Sequence, residues 1–243
     1  MFNLRFALCV AAYTDFEPLA ERLERAAQAA PFGGLTVKGL FALVPGGVGL
    51  AVSSASAVTD VADLVKQRTA SELRDINRSR LVQAVGNKQS IGIFLDNQNY
   101  TPTDQTIIAS ALHKFTKVRN VDAFLVRAAG VTERSQAVFM RERARLLARH
   151  HDEVEPFEAF ETVAEVPFAT SASGALIGVF PLDDLAWTER AAALMMQIDG
   201  ETSADGSINS VKLYITGTAT PTSKQELQKF GWLIEETVSP IER

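Results

Sequence analysis

The apolar and polar positions of this chain fall into two long echoes. Residues 90–95, SIGIFL, form an apolar run of strand length. It ends in Asp96, Asn97, Gln98 and Asn99, whose side chains bond nearby backbone and favour turns. A helix start follows: Thr101 reads as the N-cap, Pro102 stands where a missing N–H costs nothing, and Asp104 completes a near capping box. Residues 210–230, SVKLYITGTATPTSKQELQKF, repeat the scheme with the same Thr-Pro-Thr and a shorter helix, which Gly231 closes. Residues 232–238 then read as a final strand, with Trp232, Ile234 and Val238 in rough alternation with Glu235 and Thr237.

The remaining pattern fills in around these echoes. Strands are predicted at 4–11, 35–44 and 48–54, the last two joined by the type II turn signature Pro45-Gly46-Gly47. An amphipathic helix is predicted at 15–30, and a long helical region at 60–85, capped by Thr59 and open to a break near 69–71. In the second half, 121–128 (VDAFLVRA) reads as a strand and 135–150 as a basic helix with Val138, Leu146 and Leu147 inward. Residues 157–168 and 175–180 read as strands joined by a polar turn. A helix at 185–198, capped by Asp183 or Asp184, is followed by a polar loop at 199–209. Each half then has the order β-α-β-β-α-β with an added helix. The expected fold is therefore α+β: tandem ferredoxin-like halves, divided as 1–118 and 119–243. The competing reading is a single α/β sheet. The direct strand–turn–strand steps argue against it, because they are too short for parallel crossovers.

Composition alters this picture little. At 243 residues with 22% charged side chains, the chain has ample material for a core. A formal charge of −5 speaks against non-specific nucleic-acid binding. The single cysteine, Cys9, excludes an intramolecular disulfide framework and suits a reducing, cytoplasmic compartment. Residues 39–58 are uncharged and long enough to cross a bilayer, but the Pro-Gly-Gly turn at their centre makes a hairpin the better reading.

The chemistry-bearing residues are few and scattered. Asp96 follows a strand-like run, and residues 93–99 (IFLDNQN) loosely resemble the first acidic strand of NYN/PIN-type metal nucleases. Such sites gather several carboxylates, and the later strands offer none, so a turn aspartate is the better account. Adjacent His150 and His151 point about 100° apart on a helix and do not chelate one ion unaided. His113 reads as a surface or interface histidine, with a haem ligand as the rival role. Arg145 and Arg149 belong to a basic helix whose interleaved Glu142 suggests a solvated or intersubunit face. No Gly-x-Ser-x-Gly elbow or phosphate-binding loop is present.

The expected function is a non-enzymatic assembly or partner-binding protein, self-associating through sheet faces or edges, with Trp232, Ile234, Arg145 and Arg149 at the interface and no cofactor. The alternative is a small-ligand-binding or haem-type enzyme using a cavity between two α+β sheets, as dimeric α+β barrels of the chlorite dismutase type do. His113 and Asp96 are its candidate ligand-binding residues. A metal-dependent nuclease or RNA-processing protein comes third.

Overall fold

The computed structural model describes Val61 and residues 64–238. The strands expected at 4–11, 35–44 and 48–54, the helix at 15–30, the hairpin within 39–58 and Cys9 lie outside the described residues. The fold is mixed α+β. After helical residues 64–67 come α1 (Ala70–Ala84), α2 (Lys88–Asp96), α3 (Pro102–His113), α4 (Asp122–Ala129) and α5 (Arg134–Glu153). Strands β1 (Phe157–Val163), β2 (Val166–Ser171), β3 (Ala175–Phe180) and β4 (Asp184–Leu185) follow. The chain then runs through α6 (Glu189–Ala204), β5 (Ser210–Ile215), β6 (Thr218–Ala219), α7 (Pro221–Lys229) and β7 (Leu233–Glu235).

The helical region expected at 60–85 does start afresh at the suspected break: Thr69 caps α1 and shares a reciprocal capping box with Glu72. Residues 90–95 are helix, which corrects the strand reading. Asn87 accepts from the backbone N–H groups of Gln89 and Ser90, satisfying two of the orphan donors at the start of α2. Ile91, Phe94 and Leu95 then lie on one helical face and are buried. Residues 121–128 are corrected in the same way: Phe124, Leu125, Ala128 and Ala129 form the buried side of α4. A short continuous apolar run serves equally as a buried strand or one side of a short helix, and the local cap decides.

Both Thr-Pro-Thr helices exist, as α3 and α7, each capped by the first threonine with proline in the first turn. What precedes them differs: a helix before α3 and strand β5 before α7. The two echoes are therefore not equivalent places in a duplicated unit. After α4 and α5 comes an antiparallel three-strand meander, then helix and strand alternating, so the ferredoxin-like order is not found among the described residues.

The main sheet has the order β1-β2-β3-β5-β7. Its first three strands are antiparallel and its last three parallel, so it is mixed rather than purely parallel. Period-two alternation splits the core in two. Ala175, Ile177 and Val179 of β3 join the cluster of α1–α5, whereas Leu176, with Val211, Leu213 and Ile215 of β5, joins the cluster of α6 and α7. Helices thus cover both faces of the sheet. Parallel β4 and β6 form a second, two-stranded ladder beyond the ends of β3 and β5. Gly217 permits this closure, because a Cβ there would run into the backbone carbonyl of Asp183.

Helix α5 joins the two layers. Ala137, Met140, Ala144 and Leu147 are fully buried on it, while the expected inward residue Val138 is only half-buried. Arg143 is 2% exposed, donates through Nε to Val179 O at 3.2 Å and through a terminal nitrogen to Pro167 O, and lies 4.4 Å from the Phe180 ring centroid. The helix expected at 185–198 starts later, with Thr188 as its cap, and runs through the expected loop to Ala204. Asp184 belongs instead to β4.

The β1–β2 hairpin turns on Ala164 and Glu165, with φ of 49° and 64°. Both angles are positive, as a type I′ turn requires, and neither residue is glycine. Left-handed backbone costs a residue with a side chain about 1–2 kcal/mol. Glu165→Gly is expected to raise unfolding stability by about 1 kcal/mol, measured by urea denaturation. Glu165 is exposed, and the surface interaction its side chain makes is worth less than the backbone strain removed.

Candidate functional site

The possible sites follow from what the fold leaves uncovered. Along one edge of the sheet, β1 is already occupied: Arg119 N donates to Glu158 O at 2.9 Å, and Phe160 N donates back to Arg119 O at 2.9 Å. At the other edge, β7 pairs with β5 in parallel register, Lys212 with Leu233 and Tyr214 with Glu235. Alternate residues of an edge strand turn their N–H and C=O groups away from the sheet. Leu233 is 56% exposed and Glu235 is exposed, while Ile234 between them is half-buried against the α6–α7 cluster. Among the described residues, no strand lies beyond β7.

Trp232 does not face this edge. It is 5% exposed, packs in the core and donates its indole N–H to Asp199 at 3.3 Å. Its bulk anchors the strand from inside. Arg145 and Arg149 pair along α5 with Glu142 at 3.3 Å and Glu153 at 3.1 Å. His113 ends α3 half-buried, and its Nδ1 is buried without a protein partner. Asp96 sits in the last turn of α2, exposed, with Oδ1 on Arg74 at 2.6 Å. Arg145 and Arg149 are neighbours on α5, whereas His113 and Asp96 stand on α3 and α2.

Two polar groupings escaped sequence reasoning. At the start of β5, Lys212 donates to Glu155 at 3.0 Å, Ser173 donates to the same carboxylate at 3.2 Å, and Ser171 and Ser173 share a 2.8 Å hydrogen bond. Hydrogen bonding to Ser171 and Lys212 holds the Glu155 carboxyl below its usual range, and Glu155 in turn raises Lys212. His150 lies beside this chain, its ring 4.4 Å from that of Tyr214 and 5.5 Å from that of Phe157. Burial pushes its pKa down to about 4, partly offset by Glu155, so it is neutral near pH 7. The hydroxyl, carboxylate and ammonium groups satisfy one another, and the arrangement pins the α5–β1 connection and the β2–β3 turn to β5.

The second grouping is Asp104, 1% exposed, which accepts from Arg134 and, at 2.9 Å, from Arg141 while completing the Thr101 capping box. Burial favours its neutral form, but hydrogen bonds from Arg134, Thr101 and Arg141 win and hold the carboxyl below its usual value. Sequence showed Asp104 only as a cap. The arginines that bury it lie 30 and 37 residues away. Beside it, an open cleft of about 750 Å³ runs between α2, the loop after it and the α4–α5 connection.

Among the described residues, no group of three or more His, Cys, Asp or Glu side chains could hold a metal ion, and no helix is long and apolar enough to cross a membrane. Among those residues, helices cover both faces of the five-stranded sheet, and β4–β6 is a separate two-stranded ladder. No protein-family model, curated protein or solved structure matches the chain.

His150 gives the fold a definite pH dependence. Its pKa drops from 6.5 when unfolded to about 4 when folded, so its contribution is complete above pH 6.5 and is lost as pH falls toward 4. Stability is expected to fall across that window by up to about 1.4 kcal/mol per pH unit for this one proton. His151 is shifted the same way by burial and adds to the slope. His150→Phe should remove His150's share of the slope, as read from denaturation curves at pH 4 to 7.

Proposed function

We propose that this chain is an assembly protein that joins a second copy of itself through the outer edge of β7. The observation that carries this reading is the contrast between the sheet's boundaries. Both faces carry helices and the β1 edge carries Arg119, whereas among the described residues β7 ends the sheet, with Leu233 more than half exposed. An uncovered edge is a ready template for another strand, because its outward N–H and C=O groups gain partners on pairing. Lys212 and Tyr214 of β5, in register with Leu233 and Glu235, are themselves only partly covered.

Twofold association fits the residues. Antiparallel pairing of two β7 strands centred on Ile234 sets Leu233 opposite Glu235 of the second copy, so no like charges stand directly opposed. Trp232 stays inside each subunit and holds the strand at the surface. Catalysis is not part of this reading: the Glu155–Lys212 chain is closed on itself, and Asp104 is sealed by two arginines.

The test is molar mass by light scattering over a concentration range. Wild-type protein is expected to approach twice the monomer mass. Leu233→Lys, which puts a charge on the edge, and Glu235→Pro, which removes a backbone donor, should both shift it toward monomer. Thermal unfolding of the variants in dilute solution separates lost association from lost folding. A monomeric wild type, or unchanged association in both variants, would refute the proposal.

A further inference from the structure

The cleft beside α2 has its own chemistry, independent of the β7 edge. We propose that it binds a small aliphatic organic cation, a primary amine or guanidinium on an alkyl stem, with Asp96 as its charge partner. The cleft, about 750 Å³, is open to solvent, so a ligand lies along its wall rather than enclosed in it. Its frame is cross-linked by hydrogen bonds. Asn97 Nδ2 donates to Ala129 O at 3.2 Å and Val131 O at 2.8 Å, and Asn97 Oδ1 accepts from both the backbone N–H and the side-chain amide of Asn99. These bonds hold the loop after α2 against the α4–α5 connection.

What the frame leaves over is mostly acceptor. Asp96 uses Oδ1 for Arg74, which leaves Oδ2 without a partner among the described residues. Asn99 spends its amide N–H groups on Asn97 and Val131 O, leaving its Oδ1. The exposed Gln89 amide adds one further acceptor and its two N–H groups. A carboxylate with neighbouring carbonyl oxygens calls for a ligand that donates several hydrogen bonds and carries positive charge. Arg74 shows within the chain what Asp96 recognises: its guanidinium donates to Asp96 Oδ1 at 2.6 Å and to Leu95 O at 2.5 Å.

The alkyl stem also has a place. Ile93 is 51% exposed on the cleft wall, and nothing lies within 4 Å of where a Cβ on Gly92 would stand. Together they form a bare, partly apolar strip of α2 leading toward Asp96. The formal charge of −5 favours the approach of cations at low salt.

The experiment is NMR titration of the full-length protein, following the side-chain amides of Asn97, Asn99 and Gln89. The probes are 1,4-diaminobutane and agmatine, with 1,4-butanediol as the uncharged control. A third charged probe, lysine with both termini blocked, tests whether the cation can come from a protein side chain. Saturable shifts with the amines and none with the diol are expected. Asp96→Asn should weaken binding roughly tenfold or more, the worth of one charge-assisted hydrogen bond. Arg74→Gln frees the carboxylate and should bind as tightly as wild type or tighter, which a purely structural role for Asp96 does not produce. Equal shifts with the diol, undiminished binding by Asp96→Asn, or weakened binding by Arg74→Gln would each overturn the proposal. Binding of blocked lysine but neither free amine would overturn the small-molecule form.

Discussion

A guanidinium enters a hydrocarbon core only where its N–H groups find acceptors, and Arg143 meets that condition at one place, against the carbonyls of Val179 and Pro167. Those two bonds join α5 to β3 and β2 and fix the rotation and height of the helix on the sheet. Further along the same helix, Arg134 and Arg141 hold buried Asp104 at the start of α3, and His150 packs against Phe157 and Tyr214. One helix thus sets three distances: helical layer to sheet, α3 to α5, and α5 to β5. The position of β7 follows, since it pairs with β5 beyond the reach of α5. The cleft follows too, because Arg134 also donates to Asn99 O at 3.0 Å.

Sequence reasoning succeeded where a local signal had one physical meaning. Thr101-Pro102 and Thr220-Pro221 start helices because threonine caps and proline tolerates the first turn. The strands at 175–180, 210–215 and 233–235 are legible as apolar or alternating runs near turn residues. It failed where a run was short and largely apolar. SIGIFL and VDAFLVRA bury enough side chains to serve as strands, but both pack as short helices within one helical layer. The repeated Thr-Pro-Thr after an apolar run suggested a duplicated unit, and the strand reading of these two runs completed the ferredoxin-like order in each half.

The functional features divide in the same way. Asp96 was visible as a lone polar residue beside an apolar run, and the cleft does contain it, though on a helix and beside Arg74 rather than at a strand end. The partners that give the other groups their character come from far along the chain: Arg141 for Asp104, Lys212 for Glu155, Tyr214 for His150. No local pattern encodes such pairings, because tertiary packing alone brings them together. Trp232 is the instructive inversion. An aromatic residue beside a terminal strand suggested an interface, whereas the indole faces inward to Asp199 and the smaller Leu233 is the residue left at the surface.

The central claim is that the β7 edge is covered by another copy of the chain. Hydrogen–deuterium exchange of the backbone amides from Leu233 to Glu235 tests it most directly, because alternate ones point away from β5 and pairing protects those. Exchange at the outward-pointing amides is expected to slow as protein concentration rises, while amides in central β3 stay equally protected throughout. Exchange across Leu233 to Glu235 that is independent of concentration would contradict it.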